Sequence, residues 1–385
     1  MNDPAVEPSV LLAEDTQVGR SLARILRHQH DSGAFVASAD FAQYQYCWLR
    51  DGSFTAYALD RAGRHDAARR FHDWCANAIN GIGPRIATAI ERLTEGLTVQ
   101  ASAMPPARFS LDGSVVDDDW PNFQVDGYGT WLWSLHQHLE LSGAATLPHG
   151  LRGAAEQAAR YLSAVGTSPC FDVWEENGGS VHTATLACVY GGLRAAGEML
   201  TDPDPGARAD EVRSTVLGQG HRDGVFFKSD HHREVDAALL WLSEPFHLVP
   251  PGDGSFAETV ERVHAELDLE GGTRRYFSDR YYGGGAWPVL TASLGLYYAS
   301  AGKAAAAERC LSWVEAHIDE EGRLGEQFGG EGRDPVAYNE WVARWGPPAT
   351  DLLWSHAMYV VLAIELARND ATRTHRGEHD GSTRP

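Results

Sequence analysis

Apolar residues along the 385-residue chain recur at helical spacing and show little of the alternation that marks strands. The pattern predicts about twelve helices, at 14–29, 52–62, 66–78, 129–141, 152–164, 183–200, 207–217, 234–242, 256–269, 287–300, 304–318 and 349–367. Two kinds alternate. The first, third, fifth, ninth and eleventh have one charged and one apolar face, as in Ala67-Ala68-Arg69-Arg70-Phe71-His72-Asp73-Trp74. The fourth, sixth, tenth and twelfth are apolar or small on nearly every side, as in Thr130-Trp131-Leu132-Trp133 and Met358-Tyr359-Val360-Val361-Leu362. A helix that is apolar all round belongs in an interior. Alternating outer and inner helices predict an all-α fold, an α/α barrel of twelve helices in two concentric layers.

Connections alternate too. The long ones, 79–128, 270–286 and 319–348, are rich in Gly, Trp, Asp and Glu and precede inner helices, so a barrel gathers them at one end. Long ordered loops in a compact domain are usually functional. No linker divides the chain, which predicts one domain at 14–368 after an N-terminal extension at 1–13. The polar stretch 369–385 is expected to be a disordered tail.

Composition narrows the function classes. A net charge of −21 repels a phosphate backbone, which argues against nucleic-acid partners. No apolar run is long enough to cross a membrane, and the start Met1-Asn2-Asp3-Pro4 lacks a signal-peptide pattern. A cytoplasmic protein is the expectation. Cys47, Cys75, Cys170, Cys188 and Cys310 are scattered and odd in number, which suits buried thiols rather than disulfides or a zinc ribbon. Only Lys228 and Lys303 are lysines. Twelve tryptophans exceed what a core of this size needs, and sugar clefts are one outlet for them.

Three acidic loops are candidates for chemistry. They are Tyr44-Gln45-Tyr46-Cys47-Trp48-Leu49-Arg50-Asp51, Phe171-Asp172-Val173-Trp174-Glu175-Glu176, and Leu324-Gly325-Glu326-Gln327-Phe328. In each, an acidic side chain sits among aromatic and glycine residues. Glycosidic cleavage needs two carboxyl groups, one protonated and one ionised. Trp174 beside Glu175, and the like charge of Glu176, would both hold a proton on the pair. Bland alternatives exist: Glu175-Glu176 as a solvated helix start, and Arg50-Asp51 as an ion pair with Asp51 capping the second helix. His28/His30, His136/His138 and His231-His232 show no convergent carboxylate or cysteine, so no metal is expected. Gly283-Gly284-Gly285 follows no strand and is not a phosphate loop. No Gly-x-Ser-x-Gly element supports a serine hydrolase.

Taken in order, five stretches across 44–359 resemble glycoside hydrolase family 15, the glucoamylase-like enzymes. They are Tyr44 to Asp51, Trp120 through Gln124-Val125-Asp126-Gly127, and Val173 to Glu176. The others are Arg275-Tyr276 to Tyr281-Tyr282 with Trp287, and Gly325-Glu326-Gln327 with Asp351 to His356. The resemblance implies an (α/α)6 barrel. It implies Glu175 as general acid, Glu176 as a substrate-binding neighbour, and Glu326 as the base that activates water, with Tyr44 and Gln327 near that water. Arg50, Asp51 and Arg275 would clamp the terminal glucose between aromatic walls of Trp48, Trp120, Trp174 and Trp287. No cofactor is implied. The partner is a small oligosaccharide, cleaved by single displacement to give β-glucose from the non-reducing end.

The Tyr44 motif lies too near the start for the N-terminal β-sandwich of many bacterial relatives. The pattern is similar to the single-domain branch that includes isomaltose glucohydrolase, which leans the expectation towards α-1,6-linked isomaltose. Alternatives are an α-1,4-specific glucoamylase or a trehalase of the same family. More remote are an α/α-barrel disaccharide phosphorylase, which would need only one catalytic carboxyl group, and an inactive sugar-binding protein.

Overall fold

The computed structural model describes residues 8–97, 99–219, 221–222 and 224–380. Residues 1–7 of the expected extension and 381–385 of the expected tail lie outside them. In chain order the helices are α1 (Pro8–Leu11), α2 (Gln17–Arg27), α3 (Leu49–Arg61), α4 (His65–Gly81) and α5 (Gly83–Thr94). There follow α6 (Asp126–Ser142), α7 (His149–Val165), α8 (Thr183–Leu200), α9 (Pro203–Gln219) and α10 (Gly254–Leu267). The last are α11 (Pro288–Ser300), α12 (Ala304–Ala316), α13 (Gly330–Arg333), α14 (Pro335–Trp345) and α15 (Leu353–Asp380). Strands among the described residues are two-residue pairs.

An inner ring closes on itself: α3 packs on α6, α6 on α8, α8 on a 3₁₀ segment at Ala237–Leu242, that segment on α11, α11 on α15, and α15 on α3. Around it lie α2, α4, α7, α9, α10 and α12. The result is the (α/α)6 barrel expected from the sequence. Inner helices are buried on almost every face, as in α11, where eleven of thirteen residues are buried. Outer ones bury a stripe only. The α6–α8 contact is backbone on backbone: a Cβ on Gly192 would lie 2.5 Å from the Cα of Gly129, so only glycine fits there.

Four expectations need correction. The eighth predicted helix is the short 3₁₀ segment, begun by Asp236, whose carboxylate accepts the Ala238 amide at 2.8 Å. Pro245 follows closely and biases Glu244 away from helix, leaving no room for α-helical turns. The loop at 79–128 contains α5, whose Pro84, Ile86, Ala89, Ile90 and Leu93 follow a helix-start and helix-face pattern. The loop at 319–348 contains α14, capped by Asp334 through the Ala337 amide at 3.0 Å and burying little besides Ala337. The final helix continues to Asp380, through most of the stretch expected as a tail. No helix among the described residues is long and apolar enough to cross a membrane.

Candidate active site

Each inner element begins at the same end of the barrel, because the residues just before or at those starts line or support one cavity: Trp48 to Asp51, Asp126, the 172–176 loop, Asp236, Trp287, and Leu352 with Trp354. The cavity has a volume of about 520 Å³, within the ~300–1,000 Å³ of small-molecule pockets. It is lined by Glu175, Glu326, Tyr44, Trp48, Arg50, Asp51, Trp120, Trp174, Glu176, Arg275 and Trp287, all expected from the sequence. Gln327 is the exception. Its side-chain oxygen accepts the Gly285 amide at 2.9 Å and braces the glycine turn, while its Nε2 has no protein partner; the residue is not among those lining the cavity.

Glu175 sits on a tight turn. The Asp172 carboxylate accepts the amides of Trp174 (3.0 Å) and Glu176 (2.8 Å), and the Glu175 amide donates to the Asp172 carbonyl at 2.9 Å. Glu175 itself has φ +69°, a left-handed conformation costing on the order of 1–3 kcal/mol for a non-glycine residue. Strain of this kind is held by its surroundings. Here Asp172 is fixed by Lys228, whose ammonium lies 2.9 Å from Asp172 and 2.7 Å from Asp236, while Asp236 also accepts the Trp174 indole N–H at 2.9 Å. Lys228, Asp172 and Asp236 are all buried. The triad was missed from the sequence, although a lysine in a chain with two of them was a signal.

The carboxyl of Glu175 accepts the Trp48 indole N–H at 2.5 Å and the Gln124 amide at 3.1 Å on Oε1. Burial raises its pKa above the ordinary glutamate range, opposed chiefly by Arg50 and these two donors. A raised pKa suits proton donation at neutral pH. Glu326 is 1 % exposed. Its Oε1 accepts the Tyr44 hydroxyl at 2.8 Å, while Oε2 has no protein partner. Burial pushes Glu326 up to about 8, against the hydrogen bond from Tyr44 and the charge of Arg275. The rings of Tyr44 and Trp48, which hold the two carboxyls, have centroids 5.7 Å apart.

Two guanidinium groups are pinned beside them. Arg50 donates to Gln124 and Asp126, each at 2.9 Å. Asp51 does not cap α3: Trp48 holds the cap position, and the Asp51 carboxylate lies 3.4 Å from Arg50 Nε. Burial raises Asp51 to about 6, with Arg50 pulling the other way. Arg275 clasps Asp279 through two bonds (2.9 and 2.5 Å) and reaches Glu176 at 3.2 Å. Tyr276 donates to the other oxygen of Glu176.

The outer cavity is aromatic. Trp120 stacks on Trp345, with centroids 6.0 Å apart and planes at 23°, and Trp341 lies 4.9 Å from Trp345. Trp341, Arg344 and Trp345 come from α14 and were missed. Among the described residues no group of metal-ligating side chains lies in this cavity. The arrangement offers two separately held carboxyl groups, fixed polar clamps and stacking faces, a set suited to a sugar ring and acid–base chemistry on its bond.

Residues 14–320 match the family "Glycosyl hydrolases family 15". The chain is 40 % identical over 358 residues to isomaltose glucohydrolase of Kribbella flavida, covering 90 % of this chain and 91 % of that protein. It is 26 % identical to the uncharacterized glycosyl hydrolase MJ1610 of Methanocaldococcus jannaschii, over 90 % of this chain and 55 % of the other. Among solved structures, a glycosidase variant in complex with glucose superposes with a TM-score of 0.87 at 39 % identity, over 91 % of this chain and 96 % of that one. A bacterial glucoamylase complexed with acarbose, 19 % identical, shares the fold with a TM-score of 0.72 over 92 % of this chain and 55 % of that one. The chain belongs to glycosyl hydrolases family 15 and is a glycoside hydrolase.

Proposed function

We propose that residues 14–368 form an inverting, exo-acting α-glucosidase that releases β-glucose from the non-reducing end of short α-glucosides, isomaltose foremost. Glu175 donates the proton to the departing oxygen. Glu326 takes a proton from the attacking water through Oε2, the oxygen that no protein group occupies. The observation that carries this reading is the pair of carboxyls in one cavity, each with its own aromatic donor, Trp48 or Tyr44. Single displacement requires them about 6.5–9.5 Å apart, leaving room for the water.

Arg50, Asp51 and Arg275 fix the terminal ring, a positioning effect, with Glu176 held ready by Arg275 and Tyr276. Trp120, Trp341 and Trp345 receive the departing sugar. The preference for isomaltose is supported by 40 % identity to isomaltose glucohydrolase along nearly the whole length of both chains. Cytoplasmic residence fits the five free, buried cysteines. Hydrolysis of isomaltose, maltose, trehalose and dextran, with polarimetry on fresh product, tests the reading. Isomaltose should be the best substrate and β-glucose the first product. An α-anomer, or trehalose far ahead of isomaltose, would refute it.

A further inference from the structure

Three ligating side chains meet away from the sugar cavity. Asp60 ends the inner helix α3, His65 begins the outer helix α4, and His138 lies in the inner helix α6. One oxygen of Asp60 is 2.8 Å from His65 Nδ1 and 2.9 Å from His138 Nδ1. All three ligand atoms lie within 4.8 Å of one another, the one such group among the described residues. His138 showed no convergent carboxylate in the sequence because its partner is 78 positions away.

We infer that Asp60, His65 and His138 form a binding site for a divalent transition-metal ion, Zn²⁺ in particular, that ties the two barrel layers together. Two imidazole nitrogens and one carboxylate oxygen are a zinc-type donor set. Ligand atoms bonded to one ion at 2.0–2.2 Å lie about 3.3 Å apart in a tetrahedron, so each Asp60–imidazole contact needs to lengthen by only roughly half an ångström to admit an ion, with the two imidazoles, already within 4.8 Å of Asp60 and of each other, closing on it.

Burial points the same way. The Asp60 side chain has no exposed surface, and its partners are imidazoles rather than guanidinium or ammonium groups. A carboxylate taken from water needs positive charge beside it or a metal. His65 is 35 % exposed, which gives an ion a way in and leaves solvent to complete the shell. Behind the cluster, His72 lies 5.0 Å from the His138 ring. It is fully buried, with neither nitrogen hydrogen-bonded, so it walls the site without competing for its donors. Asp60 is nine residues along α3 from Asp51, roughly 13 Å of helix. The site is therefore structural and separate from the hydrolytic centre.

Chelator-stripped protein is incubated with Zn²⁺, desalted and assayed for bound metal and for Tm, beside His65→Ala and a surface control, His231→Ala. The wild type and His231→Ala should each retain about one ion per chain and melt several degrees higher with zinc than after chelation. His65→Ala should lose both effects while keeping its turnover within about twofold, since His65 does not line the cavity. Asp60→Asn, scored the same way if it folds, should also lose them. Co²⁺ should give the visible absorption of a four-coordinate site in wild type and not in His65→Ala. Failure of the wild type to retain an ion, or equal retention and stabilisation in His65→Ala, would overturn the inference.

Discussion

Tyr44 donates its phenolic proton to Glu326 across 2.8 Å, joining positions 282 residues apart, and lies 2.8 Å from the hydroxyl of Tyr281 as well. Glu326 is thereby held by a donor that favours its ionised form, inside surroundings that favour the neutral one. The balance between the two governs when the proposed base is ready.

That balance sets a pH profile. With Glu326 pushed up to about 8, kcat/KM should fall as pH drops below that value. The Tyr44→Phe variant loses a bond made to the charged carboxylate, so its acid limb should move upward by about one pH unit. A kcat/KM profile on isomaltose measures this, and an unmoved limb would contradict it.

Glu326 also couples pH to stability. Its pKa is raised on folding, so between the ordinary glutamate value and about 8 the folded chain holds this proton more tightly than the unfolded chain. Stability contributed by that proton is present at low pH and lost as pH rises through this window. Glu326→Gln should flatten the slope and be the more stable protein at pH 8, by on the order of a few kcal/mol. Denaturant melts at pH 5 and pH 8 give the comparison.

Loss of either proton-transfer group should be severe. Glu175→Gln and Glu326→Gln are each expected to lower kcat by about 10²–10⁴-fold with unchanged circular dichroism. Near-normal turnover in one of them would remove that residue from its role.

Lys228 never touches the cavity, yet it should matter to it. Lys228→Met leaves Asp172 and Asp236 buried without their shared cation, a loss of about 3–5 kcal/mol. Because Asp172 closes the Glu175 turn, kcat should fall more than KM rises. Chemical denaturation and steady-state kinetics report the two effects separately.

The barrel was legible because burial leaves a local trace: Thr130 to Trp133 and Met358 to Leu362 have no polar face, so they had to be inside. The cavity residues were legible for a related reason, since Glu175 and Glu326 stand beside aromatic and glycine residues where solvated acids rarely do. Other features left no local trace. The α14 helix buries little of itself, so Trp341 and Trp345 had no periodic face to announce them. Gln327 adjoins Glu326 in sequence but turns to the Gly285 amide, and adjacency could not tell these uses apart. Lys228 and Asp60 find their partners only through tertiary folding.

All the inner helices start at the end of the barrel that holds the cavity, and a helix start carries roughly half a positive charge from its unpaired amides. Five α-helical starts therefore tilt the electrical potential of that end in favour of anions, whatever side chains are grafted there. This is a property of chain direction alone. It offsets part of the cost of burying Asp51, Glu175, Glu176 and Glu326 in one small chamber, and it would persist in any descendant of this barrel that had exchanged its chemistry for another.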